Sequence, residues 1–295
     1  MRINKPLLIK ISVLVLLVLL FLFMTNRLSN VSIEAAKNLI ESPGTGERVL
    51  VWNDEFDQPN DSQVDTQKWK YQFGGDGWGN FELQYYTNHP QNSFIKEGVL
   101  HLQAVSKDVG RLPCWYGVCE YTSARITTKD VFNFQYGRIE ARLKLPRGVG
   151  MWPTFWLIGS NIDEISWPNS GEIDMLDTTG NEPKRAYGVL HGPGYSGAKG
   201  LKVPYELPDG TDYADGFHLF AIEWSENKIQ WFVDDKLIHT YTPDGTPKGT
   251  LWVYNHPFYL VLNLAVGGTW PGSPNKETIF PQSLDVDYVR VYQYR

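Results

Sequence analysis

From residue 49 to the C-terminus, apolar and polar residues alternate in short runs with a period of two. Val99-Leu100-His101-Leu102-Gln103-Ala104-Val105 is one such run, and 137–145 and 285–292 are others. That period puts successive side chains on opposite faces of a strand and leaves one face apolar. No amphipathic run of helical length follows residue 40. Such a chain buries its apolar faces by laying one sheet on another. Residues 217–224 and 228–234 flank Ser225-Glu226-Asn227 and predict a hairpin, and Asp234-Asp235 predicts a second. With turn signals at intervals of about ten residues and no internal repeat, 49–295 is expected to form one all-β sandwich of two antiparallel sheets.

The first 27 residues read differently. Arg2, Lys5 and Lys10 precede an apolar run from Val13 to Met24, the order of a secretory signal. The run is short for a bilayer span, yet no small-residue cleavage site follows closely, so a cleaved signal peptide and a retained signal anchor both stay open. Either places the following domain outside the cell or at its surface, with membrane contact only through this segment. Residues 28–48 read as a linker ending in Ser42-Pro43-Gly44-Thr45-Gly46. Four of the 27 basic residues lie in the first 30 positions, which contain no acid; against 33 acidic residues the remainder is strongly negative. Its field excludes nucleic acid and other polyanions and favours a neutral partner.

Cys114 and Cys119 are the only cysteines. In an exported chain they suggest a small loop disulfide, with two free thiols as the alternative. Zinc-protease, serine-hydrolase and Walker motifs are missing. Gly192-Pro193-Gly194-Tyr195-Ser196-Gly197 satisfies a dinucleotide-binding pattern, but Pro193 lacks an amide and no helical pattern follows, so it reads as a surface loop.

Gly171-Glu172-Ile173-Asp174-Met175-Leu176-Asp177 places three acids within six residues. On a strand Glu172 and Asp174 share a face. Asp177 falls on the other face unless one extra residue is inserted, and a β-bulge at Met175-Leu176 would restore it. Crowded carboxyls raise at least one pKa, which suits a general acid; retaining glycosidases need one ionised and one protonated carboxyl side by side. A solvated acidic strand face or a calcium site is the alternative reading.

Glu172-Ile173-Asp174-Met175-Leu176-Asp177 resembles the E-x-D-x-x-E signature of glycoside hydrolase family 16 in its bulged, laminarinase-type form. Trp52-Asn53-Asp54-Glu55-Phe56, Gly77–Thr87, Tyr121–Arg125, Tyr136–Arg142, Met151–Trp156, His191–Gly197 and Asp287–Tyr292 resemble further family segments in family order. The resemblance implies a β-jelly roll with a concave glucan-binding cleft and retaining, endo-type hydrolysis of β-1,3-glucan by a monomer that needs no cofactor for catalysis. It implies Glu172 as nucleophile, Asp174 as its helper and Asp177 as acid/base. The family has Glu at that last position. Asp is shorter by about 1.5 Å, which points to a slow hydrolase, a shifted strand, or a glucan-binding protein on an enzyme scaffold.

The same resemblance assigns Trp152, Trp167 and Trp270 to sugar subsites, where rings stack on the C–H faces of the chain. It assigns Asn80, Glu82, Arg125 and His191 to polar substrate contacts. Core packing, loop capping or an ion pair are the alternative roles. Trp156, Trp224 and Trp231 sit inside apolar strands and are expected in the core. A structural Ca2+ is implied on the convex side, held by backbone oxygens of Glu55 and Gly98 and the carboxylate of Asp287, an oxygen donor set of the kind calcium takes.

Overall fold

The computed structural model describes residues 46–295. The expected export segment, 1–27, and nearly all of the linker, 28–48, lie outside the described residues. Arg48 already belongs to the first strand, and Glu47 exchanges backbone hydrogen bonds with Arg295.

Two antiparallel sheets make up a β-jelly-roll sandwich. The outer one has eight strands. Its main path runs β17 (Lys236–Tyr241), β16 (Lys228–Val233), β15 (His218–Ser225), β10 (Gly137–Lys144), β19 (Gln282–Tyr294), β5 (Val99–Ala104), β4 (Ser93–Lys96). β1 (Arg48–Asp54) also pairs with the long β19. The other sheet runs β14 (Leu201–Glu206), β13 (Arg185–His191), β12 (Glu172–Asp177), β11 (Met151–Gly159), β18 (Phe258–Val266), β9 (Arg125–Thr127), β2 (Lys70–Tyr71). Two small pairs complete the fold: β3 (Gln84–Tyr86) beside β8 (Tyr121–Ser123), and β6 (Pro113–Cys114) beside β7 (Gly117–Val118). The last pair is closed by a disulfide between Cys114 and Cys119.

The period-two runs become strands for the reason given above. Leu100, Leu102 and Ala104 of β5 and Ile139, Ala141 and Leu143 of β10 join Phe155, Leu157, Leu260 and Leu262 of the second sheet in one buried core. The hairpin turns fall where expected. Asp234 and Asp235 both take positive φ, at 49° and 60°, the backbone of a tight two-residue hairpin turn.

Strand β18 is buried on both faces along its whole length. One face belongs to the core. The other, with Asn263 and Ala265, forms part of a cleft floor. The seven-stranded sheet is thus the one that carries the site.

Candidate active site

A cleft of about 650 Å³ lies across the outer face of this sheet. Its floor includes Glu172, Asp174 and Asp177 of β12. The register explains how all three reach it. On β11, Trp156 pairs with Asp174 and the next residue, Phe155, pairs with Leu176, so Met175 is the extra residue of a bulge. Met175 and Leu176 both turn into the core. Asp177 therefore returns to the cleft face, opposite Thr154 on β11 and Tyr187 on β13.

Each carboxylate has a fixed partner. The Trp167 indole N–H donates to Glu172 Oε2 at 2.7 Å, and the Trp152 indole N–H donates to Asp177 Oδ1 at 2.6 Å. His191, opposite Glu172 across the β12–β13 pair, points Nε2 at Asp174 Oδ2 (3.3 Å) and Glu172 Oε1 (3.7 Å). Its Nδ1 is buried and has no hydrogen-bond partner among the described residues. Gly200 covers that edge of the ring: a Cβ there would lie 2.7 Å from Nδ1. The proton of a neutral His191 therefore belongs on Nε2, facing the carboxylates. Glu172, Asp174 and His191 offer ligand atoms within 4.8 Å of one another, close enough for a cation. A metal-bound imidazole normally donates its other N–H to an acceptor; the bare Nδ1 fits a proton-handling cluster better.

Burial pushes all three acids upward. It takes Glu172 to about 8, with the charge of Asp174 adding to the rise and His191 and Trp167 opposing it. It takes Asp177 to about 6 against the Trp152 hydrogen bond and the charges of Lys202 and His191. Asp174 is raised well above its usual range by burial and then by Asp177. Three crowded carboxyls titrate as a set, and this set retains a proton near neutrality. Residue by residue, the values rank Glu172 above Asp177, the reverse of what a nucleophile and an acid need. The geometry favours the useful order: a donor and an imidazole face Glu172, against one donor at Asp177.

The remaining expected residues divide as follows. Trp152, Trp167 and Trp270 all line the cleft. Trp152 and Trp270 stand perpendicular, with centroids 5.7 Å apart. The ammonium of Lys202 sits 4.2 Å from the Trp270 centroid, so one face of that ring is covered in the free protein. Asn80, Glu82 and Arg125 also line the cleft. Glu82 is buried and accepts from Asn80 (3.3 Å), Gln84 (2.7 Å) and Tyr86 (3.2 Å), which makes it an organiser of that wall. Arg125 lies over the rings of Trp78 and Trp156, at 4.6 and 4.8 Å.

Trp156 is a correction. Expected in the core with Trp224 and Trp231, it lines the cleft and donates its indole N–H to Asn263 at 2.9 Å. It shares a face with Trp152 and Thr154, four and two residues earlier on β11, while Phe155 and Leu157 take the core. Trp224 and Trp231 are buried as expected; Trp231 donates to the backbone oxygen of Asp174 at 2.8 Å, bracing the catalytic strand from beneath. Trp78, Thr154, Lys202 and Asn263 were not singled out by the sequence. The parity of Trp152, Thr154 and Trp156 was the available signal for Thr154; Lys202 and Asn263 had none.

The positions suggested for calcium lie away from the cleft. Gly98 follows β4 with φ of 74°. Glu55 is held at both oxygens by Arg290, at 2.8 and 2.7 Å. Asp287 accepts from Arg142 at 2.6 Å. Of the expected donors, only Asp287 would offer a carboxylate, and the Arg142 guanidinium already pairs with it.

A β-sandwich whose open sheet face gathers three raised carboxyls between indole walls defines a glycoside hydrolase. Residues 80–290 match the pattern of glycosyl hydrolases family 16, and the chain belongs to that family. It is 38% identical over 253 residues to the "Beta-glucanase" of Rhodothermus marinus, covering 83% of this chain and 85% of that protein. It is 37% identical over 262 residues to "Glucan endo-1,3-beta-glucosidase A1" of Niallia circulans, again over 83% of this chain but spanning 38% of that longer protein. Among solved structures, the catalytic domain of an endo-1,3-beta-glucanase (laminarinase) from Thermotoga petrophila superposes with a TM-score of 0.79 at 43% identity, covering 85% of this chain and 100% of that one.

Proposed function

We propose that this protein cleaves internal β-1,3-glucosidic bonds of laminarin-type glucans by retaining double displacement. The observation that carries the reading is the Met175 bulge, which turns Glu172, Asp174 and Asp177 onto one cleft face. Glu172 attacks the anomeric carbon while Asp177 gives its proton to the departing glycosidic oxygen, leaving a glucosyl ester on Glu172. A water then loses its proton to Asp177, attacks the same carbon and frees Glu172, so the anomeric configuration is kept. Asp174, hydrogen-bonded to Glu172 and facing His191, holds the proton that would otherwise return to Glu172. Rings on both sides of the floor grip the sugar chain, and the names of the relatives supply the β-1,3 linkage. The chemistry is carried by carboxylates and needs no cofactor. The N-terminal run supports action outside the cell.

The test is reducing-sugar release from laminarin by wild type and Glu172→Gln, with the first-formed anomer read by NMR. Release of β-product by wild type and loss of about a thousandfold or more in the variant is expected. An α-product first, or an unimpaired variant, overturns the reading. Glucan binding without turnover by wild type would assign it a recognition role instead, for which the short Asp177 is the favouring observation. A structural Ca2+ on Glu55, Gly98 and Asp287 would have to displace Arg142 from Asp287. A fall in melting temperature on chelation, restored by calcium, would support that site; an unchanged melting temperature would exclude it.

A further inference from the structure

Lys202 is the cleft residue least explained by glucan hydrolysis alone. It sits on β14, the edge strand, where side chains are exposed. Among the described residues no carboxylate pairs with its ammonium. A free lysine head normally stays in water. This one, though exposed, lies over the face of Trp270, at 4.2 Å, and near Tyr187, at 5.9 Å. A cation at that distance over an indole is attracted by the ring's negative face.

Those rings lead to the acid. Trp270 meets Tyr187 at 5.5 Å and Trp152 at 5.7 Å, both in edge-to-face contact. Tyr187 is the cross-strand neighbour of Asp177, and Trp152 donates to its carboxylate. We propose that Lys202 is a positioning residue for Asp177, seating Trp270 against Trp152 and placing a positive charge on the acid's side of the cleft. The inference rests on the reading of Asp177 as acid/base.

The charge acts on one end of the catalytic strand. The groups facing Asp177 are Asp174 on its own strand, Trp152 and Thr154 on β11, His191 and Tyr187 on β13, and Lys202 on β14. Lys202 favours the ionised forms of Asp177 and Asp174, against burial. Glu172, at the other end of β12, has its rise from burial and Asp174, with His191 and Trp167 opposing it. Removing the ammonium should therefore move the titration of the acid more than that of the nucleophile, which feels Lys202 only through Asp174. The sign follows: without Lys202, Asp177 keeps its proton to higher pH, so the alkaline limb of kcat/KM moves up.

The experiment compares Lys202→Met and Lys202→Arg with wild type. Laminarin hydrolysis is followed against pH, and the aspartate carboxyls are titrated in parallel by NMR with selective 13C labelling, assigned through Asp177→Asn. In Lys202→Met the alkaline limb and the Asp177 midpoint should both rise by about half a pH unit or more, with the acid limb moving less. Lys202→Arg, which keeps the charge and the ring contact, should restore the wild-type profile. A higher KM with neither limb nor midpoint moved would make Lys202 a plain substrate contact. A lower melting temperature alone would make it packing. Either overturns the inference. A wild type that does not hydrolyse laminarin, but whose Asp177 midpoint still rises in Lys202→Met, would refute the hydrolytic reading and keep of this one only that Lys202 sets the charge of Asp177.

Discussion

Lengthening the acid is the sharpest perturbation the site offers. Asp177 is buried, fixed between Thr154 and Tyr187, with Oδ1 held at 2.6 Å by Trp152. The backbone cannot advance the carboxyl, because Met175 and Leu176 anchor the preceding residues in the core. Asp177→Glu adds one methylene and carries the carboxyl about 1.5 Å further into the cleft. A misplacement of about 1 Å costs on the order of a hundredfold in rate, or about 2.7 kcal/mol. General acid catalysis is worth about 10²–10⁴ in all, which caps the gain. The variant should therefore hydrolyse laminarin some ten- to hundredfold faster, on the order of what restored reach allows. The control is an aryl β-glucoside with a good leaving group, whose departure needs no proton. On that substrate, judged by kcat/KM, which reports the first displacement alone, Asp177→Glu should gain little and Asp177→Ala should lose little, while on laminarin Asp177→Ala should lose most of its kcat/KM. A folded Asp177→Glu protein no faster than wild type on laminarin would refute the argument from reach. Equal gains on both substrates would show that the residue does not act as the acid.

Two further outcomes concern stability. Burial raises Glu172, Asp174 and Asp177 as a set, so the proton the set retains stabilises the fold fully below about pH 4, and that contribution is lost as pH rises through midpoints that reach about 8. The melting temperature of Glu172→Gln relative to wild type should accordingly climb between pH 5 and 8; a pH-independent difference would contradict the linkage. In the outer sheet, Arg138 is almost fully buried and bonds Glu140 and Asp235, both at 2.7 Å, beside buried Glu223 at 3.5 Å. Arg138→Ala strands two buried carboxylates and should lower urea-measured stability by about 3–5 kcal/mol; a loss under about 1 kcal/mol would show that water reaches them.

Much of the fold was legible in the order of residues. The runs at 99–105 and 137–145 became β5 and β10 within one residue at each end, and the Asp234-Asp235 turn closed its hairpin. The bulge was legible too, since three acids spaced two and three apart reach one face only by gaining a residue. Trp156 was misread for a definite reason. Strand β11 is apolar on both faces, because a sugar-binding face is itself aromatic, so hydrophobicity could not say which face was core. Parity with Trp152 could have.

Alternation along a strand thus determined which side chains share a face, and the acid cluster determined the chemistry, because both depend on neighbours in the chain. What lies beside each group was decided only by tertiary structure. Lys202 on Trp270, Arg125 between Trp78 and Trp156, and Arg142 on Asp287 join segments far apart in the sequence. Such contacts depend on strand order and register across a sheet, where a side chain meets residues that period and composition do not name. The electrostatics follow the same rule. That three carboxyls would crowd was readable; which indole, imidazole or ammonium sets the proton on each depended on the strands that packed beside them.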